Sequence, residues 1–222
     1  MVPWFMVPAA VLGVAGLYIG FFVAPTDFQQ GEAYRIIFIH VPAAWMSMFL
    51  YVVMAFWAGI GLAFNTRLSS MMAHALAPTG ALMTFIALCT GSLWGRPAWG
   101  TWWVWDARLT SELILLFLYI GYMSLAAAID DPRRADKASS VLALVGVVNI
   151  PIIYFSVQWW NTLHQGASVS ISRAPSMAAT MLIGMLVMVF AFWAYAIAAA
   201  LMRVRIVILE REQNSAWIHD VF

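Results

Sequence analysis

The sequence predicts an all-α membrane protein: a bundle of six transmembrane helices with both termini on the cytoplasmic side (N-in/C-in). Three observations predict it. Apolar side chains make up 64% of the 222 residues and Asp, Glu, Lys and Arg only 9%, whereas a soluble domain runs at roughly 45–50% and about 25%. The mean hydropathy is +0.87. The sparse charges also leave six long uncharged runs, 1–26, 36–66, 68–95, 113–129, 138–172 and 174–202, and a spanning helix needs about 20 mainly apolar residues. This composition excludes a soluble globule and a disordered chain. The net charge of +1 gives no electrostatic basis for a nucleic-acid partner. The single cysteine, Cys89, excludes a disulfide framework within the chain, Cys-x-x-Cys redox chemistry and the Cys-x-x-Cys-His attachment of a c-type haem.

Taken in order, the runs place helices near 4–24, 38–63, 73–93, 111–129, 138–157 and 176–201. The first lacks a basic n-region and is longer than a typical signal-peptide core, so it reads as a retained helix. The missing basic start leaves two explanations, a start codon upstream or a protein that is short there. Gly16 and Gly20 form a small-xxx-small pair that admits a close helix neighbour. The fourth run is at the lower limit for a span. Little chain is left over, so residues 1–222 read as one domain. Orientation follows Lys and Arg in the short loops. With the N-terminus inside, Arg67, Arg133, Arg134, Lys137, Arg203, Arg205 and Arg211 are cytoplasmic, while Arg35, Arg96, Arg108 and Arg173 are outside. The loops 25–37, 94–110 and 158–175 then share the outer face.

Two of the four histidines, His40 and His164, come to that face; His74 and His219 fall on the other. Neutral imidazole is the commonest metal ligand and binds iron through one ring nitrogen. The bland alternative is an interfacial histidine bonded to backbone. Tryptophan tips the balance. Five of 12 tryptophans, Trp94, Trp99, Trp102, Trp103 and Trp105, fall within one stretch ending at Asp106, with Trp159 and Trp160 just before His164. An aromatic belt would distribute tryptophan over both interfaces. Concentrated in one stretch with Gly95, Pro97 and Gly100, the rings read instead as a loop that forms a platform for a flat apolar ligand. Arg96 and Arg108 flank it, and a guanidinium pairs a carboxylate through two parallel bonds. Asp106 holds Arg108 or orients a loop amide, and Glu112 reads as solvated at the interface. A flat apolar body with a metal centre and carboxylate tails satisfies the histidines, tryptophans and arginines together; haem is such a ligand.

The stretch Trp94-Gly-Arg-Pro-Ala-Trp-Gly-Thr-Trp-Trp-Val-Trp-Asp-Ala-Arg-Leu-Thr-Ser-Glu112 resembles the tryptophan-rich WWD motif of haem-handling membrane proteins. With Tyr34-Arg-Ile-Ile-Phe-Ile-His40-Val-Pro-Ala-Ala-Trp45 and Trp159-Trp-Asn-Thr-Leu-His164-Gln-Gly166, the whole chain is similar to the CcmC family. Only the N-terminus departs, by being short. The resemblance implies a multi-pass protein of the bacterial inner membrane. It would hold haem b, as transient cargo, at a periplasmic WWD loop between helices 3 and 4, with His40 and His164 as axial ligands. It further implies delivery of that haem to the periplasmic haem chaperone CcmE during c-type cytochrome biogenesis, within an ABC transporter complex with CcmA, CcmB and CcmD. The chain has no G-x-x-x-x-G-K-[ST] motif, so it is expected to be a non-catalytic subunit with ATP hydrolysis on a partner.

Other readings compete. A b-haem or quinone-linked oxidoreductase would place ligands for electron transfer across the membrane, but the paired histidines share one face. A permease, or a subunit that itself translocates haem, would carry polar groups at midplane; Asn149, Pro151 and Thr84 are the available ones. In a structural subunit the tryptophans would be a protein interface.

Overall fold

In the computed structural model, residues 1–166, 168–169, 174–213 and 215 are described; Arg173 and His219 lie outside them. Among these residues, seven α-helices build six segments long and apolar enough to cross a membrane. They are α1 (Val2–Tyr18), α2 (Ile37–Phe64), α3 (Arg67–Trp99), α4 (Ala107–Ala127), α5 (Pro132–Gly146), α6 (Asn149–Trp159) and α7 (Ala179–Glu212). A π-turn over Ile19–Val23 prolongs α1, and a 3-10 turn over Glu32–Ile36 leads into α2. No strand occurs among the described residues, only an isolated bridge between Asp27 and Gly31. The protein is thus an all-α, six-span membrane protein.

Where the elements differ from expectation, a local cause is visible. The fifth span is broken in two, at Val147–Val148, because Pro151 has no amide hydrogen to give and its ring crowds the carbonyl four residues back. The span also starts earlier, at Pro132, where Asp131 caps the helix by accepting from the Arg134 amide at 2.8 Å. α3 starts at Arg67 because α2 ends on Asn65 in the left-handed region, φ 53°. α7 runs to Glu212 because its polar extension still packs an apolar face: Val204, Val207 and Ile208 lie against Met71 and Ala75 of α3. Hydropathy alone cannot register a charged helix that is amphipathic.

The tryptophan stretch is not one loop from 94 to 110. α3 continues through Gly95 and Pro97 to Trp99, so Trp94 and Trp99 are helical and only 100–106 is irregular. A proline in the last turn removes a single helical bond. The helix stops at Gly100, whose φ of 79° suits glycine and whose amide donates to the Arg96 carbonyl at 3.1 Å. The Arg96 guanidinium donates to the Gly100 carbonyl, closing the same cap.

The main core gathers Met46, Tyr51, Met54, Leu115, Tyr119 and Ile153 from three helices, α2, α4 and α6. α1 packs on α7 most closely at Gly16, and Gly20, in the π-turn, comes close to α2. A Cβ at Gly16 would fall 2.6 Å from Met188 Sδ, and one at Gly20 would fall 2.5 Å from the Phe38 ring. Arg35 ties this corner together by donating to the Gly20 and Ala24 carbonyls, while the Tyr34 hydroxyl donates to the Pro25 carbonyl at 2.6 Å. The link from α1 to α2 is thereby folded over the end of the bundle.

Candidate functional site

At that end of the bundle lies a cavity of about 420 Å³. His40, in the first turn of α2, enters it from one side and His164, in the α6–α7 connection, from another. Their ring centres are 6.2 Å apart with planes inclined 35°. Each ring is held in the same way. His40 Nδ1 donates to the Ala87 carbonyl at 3.0 Å, with Thr90 Oγ1 also at 3.0 Å. His164 Nδ1 donates to the Gln165 carbonyl at 2.8 Å. A carbonyl only accepts, so the proton sits on Nδ1 and Nε2 carries the lone pair. Burial, followed by the Arg108 cation, holds His164 below the usual imidazole range, which keeps the ring neutral and able to bind a metal.

A fit to haem can be tested on this geometry. A metal–imidazole bond is about 2 Å, and the ring centre lies about 1 Å behind its nitrogen, so imidazoles on opposite sides of one ion have centres roughly 6 Å apart. The observed separation matches that span. Gly91 leaves the room needed, since a Cβ there would come 3.0 Å from His40 Cε1.

The tryptophans divide. Trp94, Trp99 and Trp103 line the cavity, with Trp94 edge-on to His40 at 5.7 Å and Trp99 against His164 at 6.3 Å. The Trp103 indole nitrogen is buried with no partner among the described residues. Trp102 and Trp105 do not line the cavity and are 54% and 77% exposed. Trp159 and Trp160 are also exposed, at the end of α6.

The charged residues separate too. Asp106 caps α4, its Oδ1 accepting from the Leu109 amide at 2.8 Å, so it holds a helix amide rather than a loop amide, and it makes no bond to Arg108 among the described residues. Arg108 lines the cavity and gives one donor to the Ile153 carbonyl at 2.6 Å. Arg96 is exposed and spent on its helix cap. Glu112 is not solvated. It lies on the cavity wall, 6% exposed, because the α4 register turns it toward α2, where Ser47 Oγ donates to its Oε1 at 2.7 Å. Its Oε2 has no partner among the described residues.

Sequence reasoning missed the roof. Trp94 Nε1 donates to Gln30 Oε1 at 2.7 Å, and Gln30 Nε2 donates to Gln165 Oε1 at 3.2 Å. This links the segment before α2 to the residue beside His164. Gln165 could have been noticed for its neighbour; Gln30 had no local signal. The residues a permease would have needed are elsewhere: the Thr84 hydroxyl donates to the Gly80 carbonyl, and Asn149 donates to the Ser111 carbonyl.

The profile of the heme exporter protein C family, CcmC, matches residues 1–219. Heme exporter protein C of Escherichia coli strain K12 is 48% identical over 221 residues, 99% of this chain and 89% of that protein. The protein of the same name from Bradyrhizobium diazoefficiens is 50% identical over 216 residues, 97% of this chain and 81% of its own length. That from Paracoccus denitrificans is 42% identical over 212 residues, 95% and 88% of the two chains. A profile match over nearly every residue, joined by relatives this similar over most of their length, means that the chain belongs to the CcmC, or heme exporter protein C, family.

Proposed function

We propose that this protein holds haem at the periplasmic face of the bacterial inner membrane, with His40 and His164 as axial ligands, and hands it to the chaperone CcmE during c-type cytochrome biogenesis. The observation that carries the reading is the pair of imidazoles in one aromatic cavity, each oriented by a carbonyl on Nδ1 so that Nε2 is the free nitrogen. The names of the relatives support haem as the cargo.

Each residue contributes a separate part. His40 and His164 would bind the iron. Trp94, Trp99 and Trp103 supply apolar surface, and removing such surface from water is worth about 25 cal/mol per Å². Arg108, with donors to spare, would pair a propionate. Trp102 and Trp105, outside the cavity, present a surface that a chaperone can reach without entering it. The Gln30–Gln165 link would have to part for a haem edge to be exposed. Beneath the cavity the interior is filled by Tyr51, Leu115 and Tyr119, which favours collection of haem at this face over passage through the chain. ATP hydrolysis then falls to CcmA, with CcmB and CcmD completing the assembly.

An absorption spectrum of the purified, detergent-solubilised protein tests the ligation. The expected result is one b-type haem with a bis-histidine spectrum; protein that takes up no haem would overturn it. Reporter fusions test the orientation. Alkaline phosphatase should be active at Ala98 and inactive at Arg211, and the reverse would place the site in the cytoplasm.

A further inference from the structure

At the opposite end of the bundle, a second cavity of about 120 Å³ opens between the end of α2 and the first turns of α3 and α5. Arg67, Arg133 and Lys137 line it. Asp136 also lines it, but its charge is already engaged: Arg211 donates to both carboxylate oxygens at 2.8 Å, and His74 Nε2 lies 2.9 Å from Oδ1. Among the described residues, the one carboxylate paired with these three cations is Glu212, which accepts a 3.1 Å bond from Arg67.

Two further observations point to an anion. α3 begins here without a side-chain cap, because the Thr66 hydroxyl is given to Ser69 Oγ at 2.7 Å; its first amides and positive dipole end are left open. Ser70 and Ser140 line the cavity while being 6% and 2% exposed. The neighbouring hydroxyls are used, Ser69 by Thr66 and Ser139 by the Ala135 carbonyl, yet those of Ser70 and Ser140 have no partner among the described residues. Their oxygens are not sealed in but open to the cavity, where they are free to donate to a ligand. Beside the cavity, Leu62, Phe64 and Leu68 are exposed at the helix ends, where acyl chains would lie.

We propose that this cavity binds a phosphate group, supplied in the membrane by the headgroup of an anionic phospholipid. The cations and the α3 terminus attract the charge, the two serine hydroxyls donate to phosphate oxygens, and the apolar rim takes the lipid tails. The inference does not depend on the site at the other end.

Native mass spectrometry of the full-length protein with an equimolar mixture of phosphatidylglycerol and phosphatidylcholine tests it. The wild type should retain phosphatidylglycerol selectively. The double substitution Arg133→Gln, Lys137→Gln should lower that retention about twenty-five-fold, from roughly a factor of five for each basic group. Both positions are exposed, so folding is not at stake. Ser140→Ala should lower it a few-fold, and Arg203→Gln with Arg205→Gln, at the same end but off the cavity, should leave it unchanged. Equal retention by the Arg133/Lys137 variant, or equal loss in the Arg203/Arg205 variant, would overturn the site. Inorganic phosphate separates the sources. If it raises the melting temperature of the wild type but not of the Arg133/Lys137 variant while phosphatidylglycerol is not retained, the lipid assignment is overturned and the phosphate site stands. No response to either probe overturns both.

Discussion

The two ends of the bundle each hold a largely buried histidine with a polar partner, but they use the second ring nitrogen differently. At the tryptophan-rich end, His40 and His164 give Nδ1 to carbonyls and line one cavity, with no bond to Nε2 among the described residues. At the other end, His74 spends Nε2 on Asp136, which Arg211 also grips. Under the proposed function the first arrangement would prepare a ligand; the second ties α3, α5 and α7 together through Asp136. What an imidazole is for depends less on its burial than on which nitrogen is left over.

Substitutions can break or sharpen this contrast. The largest effect should come from His40→Ala or His164→Ala. Each should lower haem per purified protein about tenfold or more, whereas His74→Ala should leave it within about twofold. Haem loss in the His74 variant with retention in the His40 variant would reverse the assignment. Next come the tryptophans, which the structure splits into wall and exterior. Trp103→Ala removes buried apolar area and should weaken haem retention several-fold. Trp102→Ala with Trp105→Ala should leave haem content near normal but lower covalent loading of CcmE. If loading merely tracks haem content in the double variant, the exterior pair has no docking role.

A smaller effect is expected at Gly91. Its replacement by alanine sets a methyl 3.0 Å from His40 Cε1, so retention should drop a few-fold as the ring tilts, read by titrating haem into the purified variant. The smallest functional effect belongs to Asp136→Asn. It should not change haem binding, but it loosens the charged knot at the far end and should cost about 1–3 kcal/mol, seen as a lower thermal midpoint. Haem loss in Asp136→Asn would mean that the two ends are coupled.

The six spans were legible because charge is so scarce that hydropathy marks each apolar run, though not where each helix ends, and alternation of spans brings His40 and His164 to one end. The tryptophan stretch announced itself by density alone. Its division did not: Trp103 and Trp105 differ in burial because the chain turns sharply after Gly100, and nothing in residue type encodes that turn's direction. Pro97 shows a similar limit. A proline reads as a breaker in sequence, yet in a final helical turn it removes one bond that packing easily replaces.

Residue chemistry along the chain thus settled the class of protein, its spans and the pair of imidazoles, since these rest on local hydropathy and on simple alternation across a membrane. Helix packing settled the rest. Glu112 looks like an interfacial carboxylate until α2 brings Ser47 within 2.7 Å of it. Gln30 has no meaning until the fold sets it between Trp94 and Gln165, 64 and 135 residues away. Such partners are far apart in sequence, and only the way the helices dock sets the register that makes them neighbours.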